Sequence, residues 1–175
     1  LSPDQAEQLK LLVDEFSDVF VQDPKAPKAC STVKHIIRTK EDRICFERAR
    51  RLPEKWERDV EQQVEEMKKN DIICESSSPY NSNILLVDKK DGTKRFVIDY
   101  RNLNKTTEAD TYPLPNVDRI LEKCKGAKFF TQLDLASSYW NIPVVEEDQK
   151  KTAFSVPGGK YQCKRMPYGL KNAQA

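Results

Sequence analysis

Apolar residues along the chain fall into two periods, and the switches between them divide it into elements. In "LSPDQAEQLKLLVDEFSDVF", Leu9, Leu12, Val13 and Phe16 stand at i, i+3, i+4 and i+7, the stripe of an amphipathic helix. Ser2 is placed to cap that helix, Pro3 suits its first turn, and Gln5 completes a capping box. "VQDPKAPKAC" then breaks the pattern with two prolines and reads as a linker. A second helix is predicted from Pro53 to Asn70, with Trp56, Val60, Val64 and Met67 on one face. "ESSSPYNSN" reads as a loop. Strand periodicity follows: "NILLVDKK" and "KRFVIDY" are joined across "DGT", and Asp-Gly is a strong hairpin signal.

The helical period returns after "YPLPN". Asn116 caps, Val117, Ile120, Leu121 and Cys124 form the apolar face, and Gly126 ends the helix. A strand is predicted over 128–135, inside "FFTQLDLASSYWNIPV". "TAFSV", "GG" and "YQCKRM" make a second hairpin, and "PYGLKNAQA" starts a further helix. Helices and strand pairs without regular βαβ alternation point to an α+β fold. No internal repeat interrupts this order.

Composition narrows the picture only in places. The chain has 175 residues, enough for one sizeable domain or two small lobes. Hydrophobic residues make up 38% and charged residues 33%, a polar but foldable balance. No apolar run reaches 18 residues, so no membrane partner is expected. Leu1 is followed by no leader pattern, which suggests a piece of a longer chain. Cys30, Cys45, Cys74, Cys124 and Cys163 are widely spaced and accompany a single histidine, His35. A zinc site or disulfide framework is not expected, and an intracellular setting fits better. His35, in the strand-like "VKHIIRT", reads as structural.

The net charge of +2 does not point to nucleic acid, but its distribution does. Between 89 and 105, six basic residues (Lys89, Lys90, Lys94, Arg95, Arg101, Lys105) face two aspartates, Asp91 and Asp99, a local +4. Such a hairpin suits phosphate oxygens. It equally suits a solvated edge whose lysines discourage sheet-to-sheet pairing.

Asp134 is the other unusual residue. A carboxylate between Leu133 and Leu135 is costly unless it is paired, at an edge, or bound to a cation. Ala136, Ser137 and Ser138 would let a triphosphate approach backbone N–H groups, and Tyr139 would set a flat ring beside its sugar. The alternative is an aspartate that caps the next turn and a tyrosine that packs. Spacing alone leaves both readings open.

"VIDYRNLNKTT", "YPLP", "FFTQLDLASSYW", "IPVVEEDQKKTAF" and "MPYGLKNAQA", in this order, closely resemble the reverse transcriptases of gypsy-type LTR retrotransposons and, more distantly, of retroviruses. The resemblance covers roughly residues 30–175; the first helix is similar to the connector that precedes this domain in the polyprotein. It implies the α+β fingers and partial palm of a right-hand polymerase: a connector over 1–29, fingers over 30–127 and palm from 128 to 175. It implies that Asp134 is the first of three catalytic aspartates holding two Mg²⁺ ions (or Mn²⁺), with the Leu135 carbonyl as a further ligand. Lys89 and Arg95 match residues that contact the phosphates of the incoming nucleotide. Ser137 and Ser138 match positions whose amides meet the triphosphate, Tyr139 the sugar-discriminating aromatic, and Tyr168 a residue lining the nucleotide pocket. Asp99 and Arg101 match finger positions with structural or template-side roles. The implied partners are template RNA or DNA, primer, dNTPs, and the remaining palm, thumb and RNase H regions, in the cytoplasm or a retroelement particle.

Two positions depart from the family pattern: Gln174 replaces a proline, and Ser138 stands where glycine is common. The 175 residues also stop short of the aromatic-x-Asp-Asp hairpin that carries the other two aspartates. The expectation is therefore that this polypeptide alone is inactive, that its palm edge is open and apolar, and that 128–165 exchanges amides faster than 53–100. A non-catalytic, retroelement-derived RNA- or protein-binding remnant is the alternative.

Overall fold

A computed structural model describes residues 1–20, 28–40, 43–88, 92, 94–113 and 115–174, and every structural statement concerns these. Helix α1 (Pro3–Glu15) has its capping box in place: Gln5 N–H donates to Ser2 Oγ at 3.2 Å, and Ser2 N–H donates to Gln5 Oε1 at 2.9 Å. Its apolar stripe covers nothing, however, and no residue of α1 is buried. Most of the expected linker, residues 21–27, lies outside the described residues.

Helix α2 (Glu54–Lys69) is amphipathic and docked. Glu54 and Glu57 in the first turn and Lys68 and Lys69 in the last complement its dipole. Val60 and Val64 are fully buried, and Met67 packs against the same core. Strand β1 (Ile73–Glu75) follows within five residues and takes only Glu75 from the stretch expected to be loop.

Two small sheets complete the body. Strands β2 (Ile84–Asp88) and β3 (Lys94–Ile98) form the expected antiparallel hairpin, in register from Ile84 opposite Ile98 to Asp88 opposite Lys94. Strands β4 (Phe154–Val156) and β5 (Gly159–Cys163) form the second hairpin, and β1 pairs with β5 to give the order β1-β5-β4. Ser82 N–H donates to Ala153 O at 2.8 Å, and the Phe96 and Phe154 rings meet edge to face at 5.5 Å, which joins the two sheets. Tyr100, buried beside them, donates its hydroxyl to Thr152 O at 2.9 Å. Short helices α3 (Arg101–Thr106), α4 (Val117–Lys123) and α5 (Glu146–Gln149) fill the connections. Asn116 caps α4 as expected, and Gly126 takes the positive φ of +85° that closes it. No helix among the described residues is long and apolar enough to cross a membrane.

Three expectations are corrected. Residues 128–135 form no strand: they run without regular structure, with Phe129, Phe130, Leu133 and Leu135 each about 70% exposed. A strand needs a neighbour to accept its ladder, and no described segment lies alongside. Residues 167–174 form turns and not a helix, because the Asn104 side chain of α3 ties their backbone at Gly169 and Lys171. His35 makes an isolated bridge with Val144 and belongs to no strand. It is half-buried, and burial pushes its pKa down while Asp148 pulls it back up. The loop expected over "ESSSPYNSN" is present beyond Glu75, and its end is buried: Asn81, Ser82 and Asn83 are covered, with Asn81 donating to Glu47 O at 2.6 Å and Asn83 to its carboxylate at 2.7 Å.

The core draws on both sides of residue 128, since Phe154, Cys163, Met166 and Leu170 pack with Val60, Val64 and Ile98. The exchange expectation therefore divides near residue 138. Amides of Gly159–Cys163 should exchange as slowly as those of Val60–Met67, and amides of 129–135 far faster. Uniform rapid exchange across 128–165, followed by mass spectrometry, would contradict this packing.

Candidate nucleotide site

The site begins where the exposed run 128–135 ends. Ala136 and Ser137 turn the chain, and Ser137 adopts the left-handed conformation, φ 47° and ψ 41°. A single 3₁₀ turn, Ser138–Asn141, follows, and Trp140 N–H donates to Ser137 O at 2.8 Å. A left-handed residue next to right-handed ones turns consecutive N–H groups toward one side, the geometry of an anion nest. Ser137 and Ser138 supply the small residues this turn requires.

Backbone pairing then fixes what the turn faces. Met166 N–H donates to Ile142 O at 2.8 Å and Val144 N–H to Lys164 O at 2.9 Å, which sets 142–144 against 164–166. Tyr139 and Trp140 consequently meet Tyr168, with ring centroids 4.8 Å and 6.1 Å away. Aromatic pairs at such distances add about 0.5–1.5 kcal/mol beyond burial and hold the rings in place.

Beside these rings lies a cavity of about 440 Å³. Its wall takes Gln63 and Met67 from α2 and Asn70 just after it, Arg95, Phe96 and Ile98 from β3, and Trp140 and Tyr168 from the aromatic group. The lining is mainly apolar with a few polar groups at the edge, the usual character of a small-molecule site.

The charges near the hairpin are less available than their number suggests. Lys94 pairs with Asp88 and sits 4.1 Å above the Trp56 ring. Arg101 is taken by Asp99, donating Nε to Oδ1 at 2.8 Å and Nη2 to Oδ2 at 2.6 Å. Arg95 has no ion-pair partner among the described residues and borders the cavity, so it is the cation placed to meet an anion there. Lys89 and the hairpin tip residues Asp91 and Thr93 lie outside the described residues.

The Arg101 guanidinium, hydrogen-bonded to the buried Asp99, holds that carboxyl below its ordinary value of 3.8, against the upward pull of burial. A lowered native pKa means stability that is present above 3.8 and lost as pH falls through the native value. Arg101→Ala is therefore expected to destabilise the protein at neutral pH, with the gap to the parent closing in acid. A gap of constant size in urea melts across that range would assign Asp99 a role independent of its charge.

The structure thus gathers Arg95, Trp140 and Tyr168 around one cavity, with Tyr139 packed against Tyr168 and Ser137 and Ser138 in the adjoining turn. Asp134 and Leu135 lie on the exposed run that precedes the turn and do not line the cavity. No group of three metal-ligating side chains occurs among the described residues. Sequence reasoning did not single out Phe96 or Trp140 as lining the cavity; only Trp140, beside Tyr139, carried any local signal.

Comparison with known proteins agrees with this architecture. The family profile described as "Reverse transcriptase (RNA-dependent DNA polymerase)" matches residues 87–175, just over half of the chain. Among curated relatives, the retrovirus-related Pol polyprotein from transposon gypsy of Drosophila melanogaster is 41% identical over 175 residues, covering 92% of this chain and 17% of that protein. The corresponding polyprotein from transposon 297 of the same organism is 38% identical over 180 residues, covering 100% of this chain and 17% of that protein. The chain spans about a sixth of the length of these relatives. Among solved structures, prototype foamy virus protease-reverse transcriptase superposes with a TM-score of 0.87 at 27% identity, covering 100% of this chain and 24% of that one. A foamy viral protease-reverse transcriptase in complex with RNA/DNA hybrid superposes at 0.82 and 22% identity, covering 100% of this chain and 24% of that one, a likeness of fold.

Proposed function

Because the chain belongs to the reverse transcriptase (RNA-dependent DNA polymerase) family, we propose that it forms the fingers and the nucleotide-facing start of the palm of an RNA-directed DNA polymerase of a gypsy-type LTR retrotransposon. The proposed division places a connector over 1–29, fingers over 30–127 and palm from 128. The observation that carries the reading is the convergence of Arg95, Trp140 and Tyr168 on one cavity, with Tyr139 and the left-handed Ser137 turn at its side.

Each residue has a physical task in that reading. The Arg95 fork, joined by Lys89, draws the polyphosphate by charge-assisted hydrogen bonds. The amides of Ser137 and Ser138 receive phosphate oxygens, as the nest geometry favours. Tyr139, braced by Tyr168, presents a ring edge that a 2′-hydroxyl would strike, so deoxyribose is selected by exclusion. Tyr168 lines the pocket.

Reverse transcriptases work with a divalent metal, and here Mg²⁺, with Mn²⁺ as substitute, is the proposed ion. The Asp134 carboxylate and the Leu135 carbonyl are its proposed ligands, offering hard oxygens of the type Mg²⁺ takes. One carboxylate does not make a site for two ions, so these residues do not fit the metal pair by themselves and no chemical step is assigned through it. Template and primer are the proposed partners, supported by the foamy viral complex with RNA/DNA hybrid. The same reading places the protein in the cytoplasm or a retroelement particle. Extension of a DNA primer on an RNA template by a polymerase carrying this chain and the two further aspartates tests the function. Tight nucleic-acid binding without incorporation would contradict it. Residues 1–175 expressed alone, with one aspartate of three, are expected to incorporate nothing.

A further inference from the structure

Asn104, half-buried in α3, holds the turn that carries Tyr168 by two hydrogen bonds. Its Nδ2 donates to the Gly169 carbonyl at 2.8 Å, and its Oδ1 accepts the Lys171 N–H at 2.9 Å. Gly169 sits at φ +90°, a conformation that side-chain-bearing residues rarely adopt, so the direction of this turn depends on what grips it. A carboxamide offers a donor and an acceptor on one planar head, matching a carbonyl and an N–H two residues apart. The grip continues where Lys171 Nζ donates to Thr107 O at 2.8 Å and Asn172 Nδ2 to Glu108 O at 2.8 Å. Asn104 alone in this set binds the residue next to Tyr168, whose ring meets Tyr139 at 4.8 Å and lines the cavity.

Resting on the polymerase reading above, we infer that Asn104 is a positioning residue for the incoming nucleotide, acting through Gly169 and Lys171 on the placement of Tyr168. Loss of the grip frees the Tyr168 ring, and with it the brace behind Tyr139. The consequence falls on nucleotide affinity, because neither residue takes part in bond making.

The test is a pair of variants in the polymerase that carries this chain. Asn104→Ala is expected to raise the KM for dNTP about tenfold while kcat changes by less than about threefold. Primer–template affinity and the active fraction in a burst titration stay unchanged. In a Tyr168→Ala background the same substitution adds less than about twofold, since coupled residues are not additive. Asn104→Asp keeps the acceptor for Lys171 and loses the donor to Gly169, and is expected to fall between parent and alanine. Should the alanine variant fail to fold, the aspartate variant is carried through the same two backgrounds. Equal effects in both backgrounds, or a loss confined to active fraction, kcat or primer–template affinity, overturn the inference while leaving the polymerase reading intact. A parent enzyme that incorporates no dNTP overturns the polymerase reading and this role together.

Discussion

Asp134→Asn is expected to reduce template-directed incorporation by roughly a thousandfold, the scale of removing one essential electrostatic group from a reacting centre. Stability should hardly move. Asp134 is exposed and has no hydrogen-bond or ion-pair partner among the described residues, and substitutions at such positions usually stay within about 0.5 kcal/mol. That combination separates a metal ligand from a turn cap. A capping aspartate would lose stability on becoming alanine and keep activity on becoming asparagine, which caps equally well. The check is single-turnover primer extension alongside a urea melt of each variant. Near-parental incorporation by Asp134→Asn would remove Asp134 from the proposed ligand set.

Tyr139→Val should raise the incorporation of ribonucleotides relative to deoxyribonucleotides by about a hundredfold, the upper range of what a shape-based pocket discriminates. The tyrosine discriminates well only because it is rigid: its ring is partly buried and held against Tyr168 at 4.8 Å. Truncation opens room for the 2′-hydroxyl and leaves the deoxyribose pathway largely as it was. It also removes an aromatic contact worth about 1 kcal/mol, so a modest loss of stability accompanies the change. The measured quantity is kcat/KM for dNTP over that for the matching rNTP. An unchanged ratio with reduced stability would make Tyr139 a packing residue only.

Helix α2 and the β2–β3 hairpin were legible in the sequence for physical reasons. Trp56, Val60, Val64 and Met67 repeat at helical spacing, with Val60 and Val64 buried and Trp56 and Met67 partly so, and Asp-Gly is a strong local turn signal. The same pattern reading failed where the outcome depends on distant partners. "FFTQLDL" alternates like a strand, but alternation names a face and supplies no neighbour to pair with. Nothing local in the sequence marked Asn81 and Asn83 for burial, which the backbone and carboxylate of Glu47 make possible by satisfying them. Helix α3 is six residues long, too short to show a period.

The site divides in the same way. Asp134, Ser137, Ser138 and Tyr139 were conspicuous from residue chemistry as well as from motif resemblance, and Tyr168 from the resemblance alone. The structure adds the tilted packing of Tyr139 against Tyr168, the cavity bordered by Arg95, and the grip of Asn104 on Gly169. None of these lies within one local stretch of chain, so no periodicity or spacing could announce it.

The central claim is that the incoming nucleotide occupies the cavity bordered by Arg95, Trp140 and Tyr168. The most direct test is photocrosslinking of a base-azido dNTP in a complex stalled on primer and template, with the adducts located by peptide mass spectrometry. The account predicts adducts within 95–98, 139–140 and 167–169, competed away by the matching dNTP and not by a mismatched one. Adducts elsewhere in the chain, or adducts in these segments that a matching dNTP fails to displace, would contradict it.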